Sequence, residues 1–154
     1  MMNKYDLPSP LRGKIEHLSN TEKSYFKIAH QVAMQSNHPQ HKIGCIVVLG
    51  HRIISSGHNS KDKTHAFQVK LDKKYFNDDR CKGPKHAEID ALLPLITKGY
   101  DLRKATLYIV REKRDKTQGM AHPCSRCMSV IKKLGIKKLK YTTNDGYASE
   151  VIIY

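Results

Sequence analysis

The chain has no tryptophan and only three phenylalanines. Any ring stacking on a ligand therefore falls to its eight tyrosines or to its nine histidines. Acidic side chains are scarce too, with 14 Asp and Glu against 28 Lys and Arg. Long apolar runs are missing. None approaches the roughly 18–20 residues that cross a bilayer, which excludes a membrane-spanning helix. The opening "MMNKYDLPSPLRGK" lacks the apolar centre of a secretory signal, so a cytoplasmic protein is expected. Thiols stay reduced in that compartment, and this argues against pairing the four cysteines as disulfides.

What is present is a soluble composition with a large positive charge. At 154 residues the chain is expected to form one domain, with a core at about 19–143 and an N-terminal extension at 1–18. The formal net charge is +14. Such a surplus attracts anions and suggests a nucleotide or a nucleic-acid strand as partner, although a solvated lysine-rich surface produces the same number. The lysines run from Lys4 to Lys140, with a dense patch at Lys132, Lys133, Lys137, Lys138 and Lys140.

Periodicity predicts the elements. Ser19 followed by Glu22 signals a capping box, and Tyr25, Ile28, Ala29, Val32 and Ala33 recur at helical spacing, giving a helix from Ser19 to about Ser36. Two β-branched runs meet near Gly50 as a hairpin. The stretch from Lys61 to Lys85 shows no period and reads as a long loop. Ile89, Leu92, Leu93 and Ile96 mark a second helix, bent or crowded by Pro94. "ATLYIV" at 105–110 is a strand, and "REKRDKTQGMAH" a polar connection. Pro123 and Gly135 bracket a third helix. "IKKLKYTT" is another strand, and "EVIIY" a last strand or helix. This order implies an α/β domain of three layers around a mixed sheet.

Cys124 and Cys127 lie three positions apart where a helix begins, so their sulfurs share a face. The helix start favours thiolates, which suits a redox couple and a metal equally. Upstream, "HAE" places His86 and Glu88 at the start of another helix. One His and two Cys make a three-ligand site with an open fourth position, the mark of catalytic rather than structural zinc. Cys45, in an apolar strand, reads as core. A second zinc held by Cys81 with His58 or His65 has only irregular spacing in its favour.

The His-x-Glu and Pro-Cys-x-x-Cys pair resembles the signature of zinc deaminases acting on cytosine or adenine. From about Thr21 to Thr143 the chain resembles the cytidine/deoxycytidylate deaminase superfamily. The resemblance implies an α/β/α cytidine-deaminase-like fold with a mixed, mostly five-stranded sheet. It implies one catalytic Zn²⁺ per chain held by His86, Cys124 and Cys127, with Glu88 as the proton shuttle. Asn59 matches the family's sugar-contacting Asn, and the backbone N–H groups of Ala87 and Cys124 the base-holding ones. Two positions depart from the pattern. Asp90 stands where deoxycytidylate deaminases carry Asn. His122, before Pro123, matches neither the Ser or Thr of polynucleotide deaminases nor the Glu of the tRNA enzymes.

Three functions are expected from this reading. The first is hydrolysis of dCMP to dUMP and ammonia. The second is deamination of cytosine or adenine in single-stranded DNA or RNA, bound through the basic surface. The third is a silent zinc-binding scaffold, against which Glu88 argues, because a structural site has no use for that carboxylate. A homo-oligomer fits the family habit.

Overall fold

The computed structural model describes residues 18–61 and 85–153. The expected N-terminal extension up to residue 17, Cys81 and His65, and all but the ends of the 61–85 loop lie outside those residues.

The first helix, α1 (Asn20–Ala33), carries the expected capping box: Ser19 Oγ accepts from Glu22 N–H at 3.1 Å, and Ser19 N–H donates back to Glu22 Oε1 at 3.0 Å. It ends at Ala33 rather than near Ser36, with Met34 as its C-cap. Phe26, absent from the expected apolar face, is one of its buried anchors, while Tyr25 and Ile28 are only partly buried.

Strands β1 (His41–Leu49) and β2 (Arg52–His58) form the hairpin. Its turn is Gly50–His51, both at positive φ (57° and 65°), which twists the chain in the sense the strands need. Then come helix α2 (Ala87–Thr97), strands β3 (Thr106–Lys113) and β4 (Gln118–Gly119), helix α3 (Ser125–Lys133), and strands β5 (Lys138–Thr142) and β6 (Tyr147–Val151). The six-stranded sheet has the order β2-β1-β3-β5-β6, with β4 paired to β3. Among the described residues only β3 and β5 pair in parallel, joined through α3; the other pairs are antiparallel.

Alternation along the central strands sets the layers. Ile46 and Val48 of β1 and Tyr108 and Val110 of β3 face α1. Cys45, Val47, Leu107 and Ile109 face α2 and α3, meeting Ala91, Leu92, Leu95 and Ile131. Both faces are covered, so these strands read as unbroken apolar runs. Cys45 is fully buried core, as expected.

Two further boundaries differ from the sequence reading. β3 continues to Lys113 because β1 pairs with it as far as His41 opposite Lys113, and β4 then folds back within the supposed polar connection. The last strand begins at Tyr147, with Ala148 and Glu150 facing inward. Pro94 does not end α2: its exposed ring costs the Asp90 carbonyl one helical bond, and the helix runs on to Thr97. Among the described residues no helix is long and apolar enough to cross a membrane.

Candidate metal centre

His86 and Cys124 are the N-caps of α2 and α3, both in extended backbone, and neither side chain caps its own helix. They turn toward each other instead. Packing of Ile89 against Cys127 and Val130 brings the two helix starts together. His86 Nδ1 lies 3.7 Å from Cys124 Sγ and 3.4 Å from Cys127 Sγ, and the three donor atoms all fall within 4.8 Å of one another.

These spacings fit zinc. A tetrahedral Zn²⁺ about 2.3 Å from sulfur and about 2.05 Å from nitrogen requires an S···N separation of about 3.6 Å. Two thiolates with one imidazole are also the donor set that suits this borderline-soft ion. The hydrogen bond from Cys127 draws the Cys124 thiol down to about 3, and burial opposes it. Cys127 is pushed up, first by the same hydrogen bond and then by burial.

Glu88 sits in the first turn of α2, 5% exposed, in the same cleft. Burial raises its carboxyl above the usual range, against the pull of His86 and a hydrogen bond from Cys127. Ala87 also borders the cleft, and its N–H belongs to the first turn, whose donors have no intrahelical partner. The cleft encloses about 250 Å³.

Asn59 lines the cleft but is held by backbone: Oδ1 accepts from Ile43 N–H at 2.9 Å and Nδ2 donates to the His41 carbonyl at 2.9 Å. One N–H and one lone pair of its amide are left over. Asp90 ties α2 to the hairpin, accepting from His58 N–H at 3.1 Å and pairing with Lys85 at 3.3 Å.

The wall beside the metal group is cationic, and sequence reasoning missed it. His38, His41, Lys85 and Arg111 all border the cleft. Arg111 Nη2 donates to His41 Nδ1 at 2.7 Å and Nη1 to the Met120 carbonyl at 3.3 Å, whereas its buried Nε has no hydrogen-bond partner among the described residues. Burial, then the Arg111 charge, pulls His41 below its ordinary value. Only the β1–β3 register, with Ile43 opposite Arg111, brings these residues together. The exposed lysines of the 132–140 patch lie elsewhere: Lys132 and Lys133 occupy the last turn of the nine-residue α3, about 12 Å along the axis from Cys124. Lys140 is tied to Glu22 at 2.9 Å.

Residues 19–143 match the family profile of the cytidine and deoxycytidylate deaminase zinc-binding region. A search of curated proteins gives no match. Among solved structures, the apo dCMP deaminase of cyanophage S-TIM5 aligns with a TM-score of 0.59 at 22% identity, over 82% of this chain and 86% of that one. The same phage enzyme in complex with dCMP and dUMP aligns with a TM-score of 0.57 at 21% identity, over 81% and 83%. Cytidine deaminase from Burkholderia pseudomallei gives 0.57 at 15% identity, over 87% and 93%. At these identities the likeness is one of fold.

Proposed function

The chain belongs to the cytidine and deoxycytidylate deaminase family, and from that membership we propose that it hydrolyses the amino group of a cytosine nucleotide, converting dCMP and water to dUMP and ammonia. The observation that carries the nucleotide half of this reading is Arg111. Its guanidinium stands in the same cleft as His86, Glu88 and Cys124, held there by its Nη contacts to His41 and the Met120 carbonyl. A planar, permanently charged guanidinium fixed on the cleft wall suits a phosphate oxygen. The S-TIM5 deaminase, a relative in fold, has been solved with dCMP and dUMP bound.

In this reading His86, Cys124 and Cys127 hold zinc. Zinc bound there acidifies a water and so supplies the nucleophile at neutral pH. Glu88 takes the proton of the attacking water, passes it to the ring nitrogen, and carries the second proton to the departing amine. A carboxyl raised by burial above the usual carboxylate range takes up a proton more readily, which suits a group that must accept protons and hand them on. The N–H groups of Ala87 and Cys124 orient the base, and Asn59 offers its remaining amide N–H and lone pair to the sugar.

A second reading has its own observation. Lys42, Lys113, Arg114 and Lys116 border a depression that shares His38 with the cleft. Such a strip would track the phosphates of a single strand and extend the substrate beyond one nucleotide.

A panel of dCMP, deoxycytidine and cytosine-containing oligonucleotides, read by mass, separates the two. The expected result is preference for dCMP over deoxycytidine, with Arg111→Met lowering kcat/KM for dCMP roughly tenfold to a hundredfold, the worth of one hydrogen bond to a charged group. Deoxycytidine turnover should stay unchanged. Turnover confined to oligonucleotides would establish the strand reading instead.

A further inference from the structure

The departure at His122 leads to a residue that the zinc chemistry does not use. β6 alternates inward and outward, and its inward positions are Ala148 and Glu150. A carboxylate therefore occupies a core position where an apolar side chain is expected. Its side chain is 1% exposed. Oε2 accepts from His122 Nε2 at 3.0 Å and from the Tyr141 hydroxyl at 3.3 Å, and Oε1 is buried with no partner among the described residues. Replacing such a group by a well-packed apolar one is often neutral or stabilising, so stability alone does not account for it.

What Glu150 does hold is a ring on the wall of the cleft. His122 borders the same cavity as His86, Glu88 and Cys124, and its side chain is 16% exposed. Tyr141 meets the imidazole edge-on, with centroids 5.2 Å apart at 78°. Pro123 restricts the backbone of His122. The ring is thus fixed from three sides, and its Nδ1 has no partner among the described residues. With Nε2–H donated to Glu150, Nδ1 is the ring nitrogen left to accept a hydrogen bond.

We propose that His122, oriented by Glu150, is a specificity-determining residue of this cleft, its Nδ1 accepting a hydrogen bond from the amino group of the bound base. This rests on the deaminase reading above. An amino group donates and the keto oxygen of the product does not, so the contact favours substrate over product and is lost when the amine leaves. A site built to hydrogen-bond a donor discriminates strongly against an analogue lacking it.

The test uses zinc-loaded protein carrying Glu88→Gln, so that bound substrate persists, and calorimetric titration with dCMP and with dUMP. His122→Gln keeps a donor that reaches Glu150 but has nothing at the Nδ1 position. The expected result is roughly tenfold weaker dCMP binding, unchanged dUMP binding and an unchanged melting temperature. Glu150→Gln, whose amide permits the opposite ring tautomer, should weaken dCMP selectively as well. If both variants keep the parent ratio of dCMP to dUMP affinity, the inference is overturned. A purely structural His122–Glu150 pair predicts that ratio together with a lowered melting temperature for Glu150→Gln. Should dCMP bind to none of these proteins at full zinc content, the dCMP reading falls. The same titrations with deoxycytidine- and deoxyuridine-containing oligonucleotides then decide the role of His122.

Discussion

Glu88→Gln should give a folded protein with its full complement of zinc and almost no turnover. The amide matches the carboxylate in volume, so the packing around this 5% exposed side chain is kept. A neutral amide is also cheaper to bury than a carboxylate, and the melting temperature should hold or rise. What disappears is the carboxyl that, in the proposed function, takes a proton from water and returns it to the base and the amine. A positioned acid–base group contributes about 10²–10⁴-fold, and here one carboxyl serves successive transfers, so kcat should fall by at least about 10³. Metal content by elemental analysis and kcat by product mass check this together. A variant within tenfold of the parent kcat would remove Glu88 from the proton path.

Gly57→Ala should damage the site from a position that never touches substrate. A Cβ at Gly57 would stand 2.3 Å from Ala91 N and 2.6 Å from Ala87 O, both backbone atoms of α2. Neither can rotate away, so the helix must back off the hairpin by about 1 Å to restore ordinary contact, and overpacking of this kind costs about 3 kcal/mol. At this chain length that corresponds to a melting temperature lower by about 6–12 °C. Because His86 is the N-cap of α2 and Glu88 lies in its first turn, the shift also pulls His86 from the two sulfurs at the start of α3. Zinc affinity should therefore fall with stability. Gly146→Ala is the control: a Cβ there meets nothing within 4 Å, and both quantities should stay at the parent values.

Position in the chain decided how much of this was readable beforehand. The capping box at Ser19, the hairpin around Gly50, and the helix starts at His86 and Cys124 depend on neighbours within a few residues, and local patterns carry them. The α/β/α layering followed, because a strand–helix–strand crossover restricts topology. The resemblance of "HAE" and "HPCSRC" to the deaminase signature carried the metal group, and the fold places the three donor atoms where they could hold a metal. The cationic wall was not legible. Arg111 read as the start of a polar connection, and only the pairing of β1 with β3 places it on His41. Glu150 was hidden for the same reason: its partner is 28 residues away, reached across the sheet. Its charge also gave no hint that the strand turned it inward. Phe26 was overlooked beside the longer Tyr25–Ile28–Val32 pattern, although it is the more buried side chain.

The most direct test is to incubate zinc-loaded protein with dCMP and follow both products, nucleotide by mass and ammonia by enzymatic assay, before and after removal of the metal by a chelator. The account predicts dUMP and ammonia in equal amounts, loss of both on chelation, and recovery on adding zinc back. Unchanged dCMP from protein that carries one zinc per chain would contradict it.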